Sequence, residues 1–119
     1  MSDLLNEKSS FNDKQLFKEV SEGDERAFRI MYNRYYQRMY SFAAKVVKSP
    51  HVAEEIVQEV FIRLWEQREL LCEVKNPDNY VFIVIRNHTY NYLRAAAREQ
   101  NRREKLWEAL QQQVTDEGT

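Results

Sequence analysis

A chain of 119 residues with two Gly, two Pro and one Cys is long enough to bury a single core, and its scarcity of turn residues implies long helices. No apolar run approaches the ~20 residues of a membrane span and no signal-peptide pattern opens the chain, while the lone Cys72 excludes an internal disulfide framework and fits a reducing cytosol. The net charge of −1 hides an asymmetry: residues 75–106 carry seven Lys/Arg against three Asp/Glu, whereas the segments before and after are net acidic, which points to a local anionic partner.

Residues 1–10 are polar, without periodicity, and read as a flexible N-terminus. The domain proper is expected over residues 11–106. Its first helix is short: Asn12 can cap it, Gln15 can complete a capping box and Phe11 can staple onto Leu16. It carries Leu16, Phe17 and Val20 and stops at Gly23, a residue suited to a left-handed C-terminus. Asp24 then caps a second helix reaching about Lys48. Its apolar stripe is Ala27/Phe28, Met31/Tyr32, Tyr35, Met39, Phe42/Ala43 and Val46, at spacings of three and four. The tyrosines 32, 35, 36 and 40 are read as core or core-edge packing rather than a ligand cage.

Ser49-Pro50 ends that helix and starts the third, with Ser as cap and Pro at the first helical position. At 100° per residue Ala53, Ile56, Val57, Val60 and Leu64 form its core face. Glu55, Gln58, Glu59, Ile62 and Glu66 fall opposite, with Ile62 near the centre of that polar stripe. A single exposed isoleucine is common. An apolar anchor ringed by polar groups is also what a docking surface presents.

Leu70–Lys75 shows no clear helical stripe and is expected to be a loop of six or seven residues that can open with a helical turn, with Cys72 as a small apolar filler rather than a nucleophile. Asn76-Pro77 caps the last helix, which runs to about Lys105 or beyond. Val81–Ile85 is apolar on all sides, so this stretch is expected to be wedged among the other helices. Tyr80, Val84, Asn87, Asn91, Arg94 and Arg98 then share a stripe, with Ile83 and Tyr90 on its flank and Arg86 beyond. Asn and Arg so spaced can reach base edges and phosphates, or simply face water. Residues 107–119 read as a linker or tail. His51 and His88 with Cys72 give no metal-ligand spacing. No Gly-rich phosphate loop or paired acid/base carboxylates occur, so neither a cofactor nor enzymatic activity is expected.

The expectation is an all-α fold, a compact bundle of three principal helices plus a short N-terminal one. Glu22–Phe28 with Tyr32 and Tyr35, then Ala53–Trp65, then Asn76–Phe82 with Ile85-Arg86-Asn87 and Asn91–Arg94, resemble three successive stretches of the extracytoplasmic-function (ECF) sigma factors of bacterial RNA polymerase. The likeness is to their N-terminal region 2 domain. It implies that the face of Glu55, Gln58, Glu59, Ile62 and Glu66 docks on the coiled-coil of the polymerase β′ subunit. It also implies that the Leu70–Asn76 loop and the following helix recognise and help to open the −10 promoter element. The DNA residues would then be Lys75, Asn76, Asn79, Tyr80, Ile83, Arg86, Asn87, Asn91, Arg94 and Arg98. The protein would act in the cytoplasm without membrane insertion, and whether an anti-sigma factor also holds it stays open.

Some residues depart from the family pattern. Glu55 stands where Asp is usual, Val60 replaces a small or hydroxylated residue, and Ala95-Ala96-Ala97 occupies a place often more basic. The family's second, −35-reading domain has no counterpart after Lys105, so the chain is expected to be a fragment or a truncated relative. The alternative to a sigma domain is a helical interaction module that docks through the Glu55–Glu66 face without reading DNA.

Overall fold

A computed structural model describes the protein over residues 13–117. The expected cap at Asn12, the Phe11 staple and the N-terminal tail lie outside the described residues. The described residues form helices and no strand: α1 over 13–21, α2 Glu25–Val47, α3 Pro50–Glu66, a 3-10 helix Arg68–Glu73, and α4 Pro77–Glu117. The fold is all-α. Of the described residues, 13–89 form one compact unit, and 90–117, the remainder of α4, form a second.

In the first unit each boundary has a local cause. Gly23 takes φ +92° between α1 and α2, a conformation a Cβ would strain. The Asp24 carboxylate then accepts from the backbone N–H groups of Arg26 and Ala27 at 2.9 and 3.1 Å, satisfying donors that a helix start leaves open. At the far end of α2 Lys48 adopts φ 56°, the left-handed turn, and its N–H donates to the Ala44 carbonyl. Ser49 Oγ accepts from Val52 N and Pro50 opens α3. Asn76 Oδ1 accepts from Asn79 N at the start of α4.

The core of this unit is assembled from one face of each helix. Leu16, Phe17 and Val20 come from α1, and Ala27, Met31, Tyr35, Met39 and Ala43 from α2. Ala53, Ile56, Val57, Val60, Phe61 and Leu64 come from α3, and Val81 and Ile85 from α4. Completely burying a valine or leucine stabilises by about 1.5–3 kcal/mol, so the α3 face alone is a large share of the core. All five residues of its expected stripe are buried, and Phe61 joins them. Phe17 lies edge-on to both Tyr35 and Tyr80, with ring centroids 6.1 and 6.4 Å apart. These contacts join α1, α2 and the start of α4.

Three expectations are corrected. The Leu70–Lys75 segment, expected to be a loop with at most one helical turn at its start, is for most of its length the end of a 3-10 helix that begins at Arg68. Leu71 is its buried residue, while Cys72 is exposed and its Sγ donates to the Glu69 carbonyl; a 3-10 turn directs only one of two neighbouring side chains inward. Finally, Val81–Ile85 is not enclosed on all sides. Val81 and Ile85, four apart, face the core, and Thr89 follows them with its hydroxyl donating to the Ile85 carbonyl at 2.7 Å. Phe82 and Ile83 are exposed because 100° and 200° of rotation carry them off that face.

Candidate docking and nucleic-acid surfaces

The polar stripe of α3 projects outward along its whole length. Glu55, Gln58, Glu59, Ile62 and Glu66 are all exposed, Ile62 at 57%. His51 Nε2 lies 3.1 Å from Glu55 Oε1, and Arg63 Nη2 3.6 Å from Glu59 Oε1. Both are surface contacts one helical turn apart, and exposed pairs of this kind contribute at most a few tenths of a kcal/mol, so a partner could displace either at small cost.

Beside this stripe the two longest helices of the first unit leave a depression between them. Gln58, Phe61, Ile62, Trp65 and Glu66 of α3 and Phe28 and Tyr32 of α2 line a space of about 480 Å³. Its aromatic walls brace one another: Phe28 and Trp65 centroids lie 5.0 Å apart, and those of Tyr32 and Phe61 4.6 Å. The Arg68 guanidinium sits over the Trp65 ring at 4.5 Å and donates to the Trp65 carbonyl. Residue patterning places Phe28 and Tyr32 in the core stripe of α2. The signal for a second role is the doubling of that stripe, Ala27/Phe28 and Met31/Tyr32, wider than one buried face requires. Ala27 and Met31 fill the core, and the two aromatics are left half-buried at its edge.

Residues expected at nucleic acid fall in both units. In the first, Lys75, Asn76, Asn79, Arg86 and Asn87 are exposed, and Ile83 is 37% exposed. Tyr80 is half-buried against Phe17, so only part of its ring is open. Phe82 is not among the expected site residues, yet it is 47% exposed and sits edge-on to Phe42 at 5.6 Å. With Ile83 it supplies an apolar surface on α4 outside the core. Asn76 uses its side-chain oxygen as a helix cap, leaving its amide nitrogen to donate elsewhere.

In the second unit Asn91, Arg94 and Arg98 are exposed. Arg94 Nη2 donates to Asn91 Oδ1, so these two expected contact residues are joined to each other. Glu99 accepts from both Arg102 and Arg103, and the Arg102 hydrogen bond holds the Glu99 carboxyl below the usual carboxylate range. The basic stretch is therefore partly neutralised from within. Farther along, Leu106, Trp107, Leu110 and Val114 are exposed at spacings of three and four.

Among the described residues no group of three His, Cys, Asp or Glu could hold a metal ion, and no helix is long and apolar enough to cross a membrane. Helices with exposed acidic and polar-basic faces define the class: an all-α domain whose distinctive chemistry lies on helix exteriors. The family follows from comparison with known proteins. Residues 31–99 match Sigma-70 region 2, more than half of the chain, and the chain belongs to that family. It is 32% identical over 50 residues to the ECF RNA polymerase sigma factor SigK of Mycobacterium sp. strain KMS, and equally to that of strain JLS. Those alignments cover 42% of this chain and 26% of each relative, so the chain spans about a quarter of the length of the curated relatives it matches. No solved structure matches it.

Proposed function

We propose that this chain is the polymerase-binding, −10-reading domain of an ECF-type sigma factor, a non-enzymatic part of bacterial transcription initiation acting in the cytoplasm. The observation that carries this reading is the family match across residues 31–99, which takes in both the outward stripe of α3 and the first part of α4. The stripe of Glu55, Gln58, Glu59, Ile62 and Glu66 is its surface for the β′ coiled-coil: an exposed apolar residue ringed by acidic and polar side chains suits a protein interface. Strand opening needs apolar or aromatic groups to replace lost base stacking and cations to follow the backbone. Ile83 and the open part of Tyr80 provide the first, and Lys75, Arg86, Arg94 and Arg98 the second. Asn76, Asn79, Asn87 and Asn91 offer the amide groups that read base edges.

Two measurements test the reading. The chain should bind core RNA polymerase, and with polymerase it should retain single-stranded DNA of −10 sequence better than scrambled DNA. Polymerase binding without any DNA preference would favour a helical interaction module. Absence of both would remove the proposal.

A further inference from the structure

We infer that α1 positions the DNA-reading start of α4, acting through Asp13 and Phe17. The inference rests on the DNA reading above and adds a helix that contributes to neither proposed surface and precedes the matched residues 31–99. Among the described residues, Asp13 and Thr89 are the buried polar ones, Asp13 at 6% exposed. The Asp13 carboxylate accepts from Arg34 Nη1 of α2. The next residue of α2, Tyr35, lies beside Asp13 and donates to Asp78 in the first turn of α4 at 3.2 Å. One turn further along α2, Arg38 stands 3.3 Å from the same Asp78 carboxylate. The starts of α1 and α4 are thus held by one short stretch of α2, residues 34–38, and each aspartate has its own arginine. Covering apolar surface does not require a buried carboxylate. One that is buried is tolerated only where a cation and hydrogen-bond donors face it, which gives α1 a single seat on α2.

Phe17 carries the same constraint through the core. It lies one turn after Asp13 on the same face of α1 and is fully buried. Its ring is edge-on to Tyr35 and to Tyr80, at 6.1 and 6.4 Å. Phe17 therefore covers part of the Tyr80 ring and leaves Tyr80 half-buried. The backbone N–H groups of Asn79 and Tyr80 bond to the side chain and carbonyl of Asn76, so Asn76, Asn79 and Tyr80 move as one turn. Fixing that turn in advance removes its ordering from the cost of binding a flexible single strand.

The test uses the full chain. Asp13→Asn keeps the shape and removes the charge, Asp13→Glu keeps the charge, and Phe17→Leu stays apolar but loses the ring. Amide hydrogen exchange is followed well below the melting temperature. Co-purification with core polymerase, and retention of single-stranded −10 DNA by the complex, are measured in parallel. In Asp13→Asn and Phe17→Leu, amides 80–82 should exchange about tenfold faster while amides 56–64 keep their protection. Both variants should co-purify as before and retain about fivefold less −10 DNA, and Asp13→Glu should recover part of that loss. If Phe17→Leu does not fold, Asp13→Asn decides, since it leaves every core ring in place. Unchanged exchange at 80–82, exchange raised equally everywhere, or loss of the fold in Asp13→Asn would make α1 a structural helix and overturn the inference. Faster exchange at 80–82 with undiminished DNA retention would overturn it too. An unaltered chain without preference for −10 DNA would remove the DNA reading itself, a failure visible before any variant is made.

Discussion

The Tyr35 hydroxyl, at the centre of α2, donates to Asp78 Oδ1 in the first turn of α4 across 3.2 Å. The same carboxylate lies 3.3 Å from Arg38 Nη1, so one residue of α4 is held by two successive turns of α2. Asp78 adjoins Asn79 and Tyr80, which makes this contact the anchor for the part of α4 assigned to DNA. Replacing Tyr35 with Phe keeps the ring in the core and removes the hydroxyl. It should cost about 1 kcal/mol and lower the melting temperature by a few degrees. Unchanged stability would show that Asp78 is held by Arg38 alone.

Alkali should act on the same residue. Burial, then the Asp13 and Asp78 carboxylates beside it, hold the Tyr35 hydroxyl above its ordinary value of 10.0. Below pH 10 the group is neutral in both folded and unfolded chains and contributes no pH dependence. Above pH 10 the unfolded chain ionises there while the folded chain does not, so stability falls by about 1.4 kcal/mol per pH unit from this group. Tyr35→Phe should flatten the stability profile above pH 10 by that slope, measured by urea unfolding. Parallel profiles for the two proteins would contradict the assignment.

The two faces of α3 should separate stability from docking. Val60→Asp and Leu64→Asp each place an unpaired charge among residues that are at most 4% exposed and should abolish cooperative unfolding. Gln58→Arg and Ile62→Arg lie on the exposed side and should change stability by ~0.5 kcal/mol or less while abolishing polymerase binding. Thermal melts and co-purification read the two effects. A folded Val60→Asp protein would mean that the helix faces have been assigned the wrong way round.

Two positive-φ positions should respond in opposite directions. Gly23→Ala forces a Cβ onto φ +92° although no neighbouring side chain blocks the space, and should destabilise by about 1 kcal/mol. Lys48 already bears a Cβ at φ 56°, so Lys48→Gly should stabilise by a few tenths to about 1 kcal/mol. Chemical denaturation midpoints decide both.

At the surface proposed for DNA, Arg94→Ala with Arg98→Ala should weaken polymerase-dependent promoter binding equally on all sequences. The log–log salt slope should fall by up to about two units, one per phosphate bound. Exchanging Leu70–Lys75 for the corresponding segment of another sigma factor should instead change which −10 sequence is preferred, by roughly 1–3 kcal/mol for each base no longer recognised. A segment exchange that leaves preference untouched would count against the assignment.

Much of the first unit could be read along the chain because its causes are local. A cap such as Asp24, Ser49 or Asn76 bonds to N–H groups two or three residues away, and an apolar residue every three or four positions gives a buried face whatever it packs against. The same periodicity anticipated the exposure of the α3 stripe. What tertiary structure alone decided is how wide each buried face is and what lies across it. Periodicity treats Val81–Ile85 as uniformly apolar, but the core meets α4 on one side, so Val81 and Ile85 are covered while Phe82 and Ile83 are exposed. Leu71 rather than Cys72 turns inward because the 3-10 backbone orients it so. Tyr35 and Asp78, 43 residues apart, and the groove shared by Phe28, Tyr32, Phe61 and Trp65 arise only when separate helices pack. A side chain's own sequence neighbours carry no record of the surface that a distant helix brings to it.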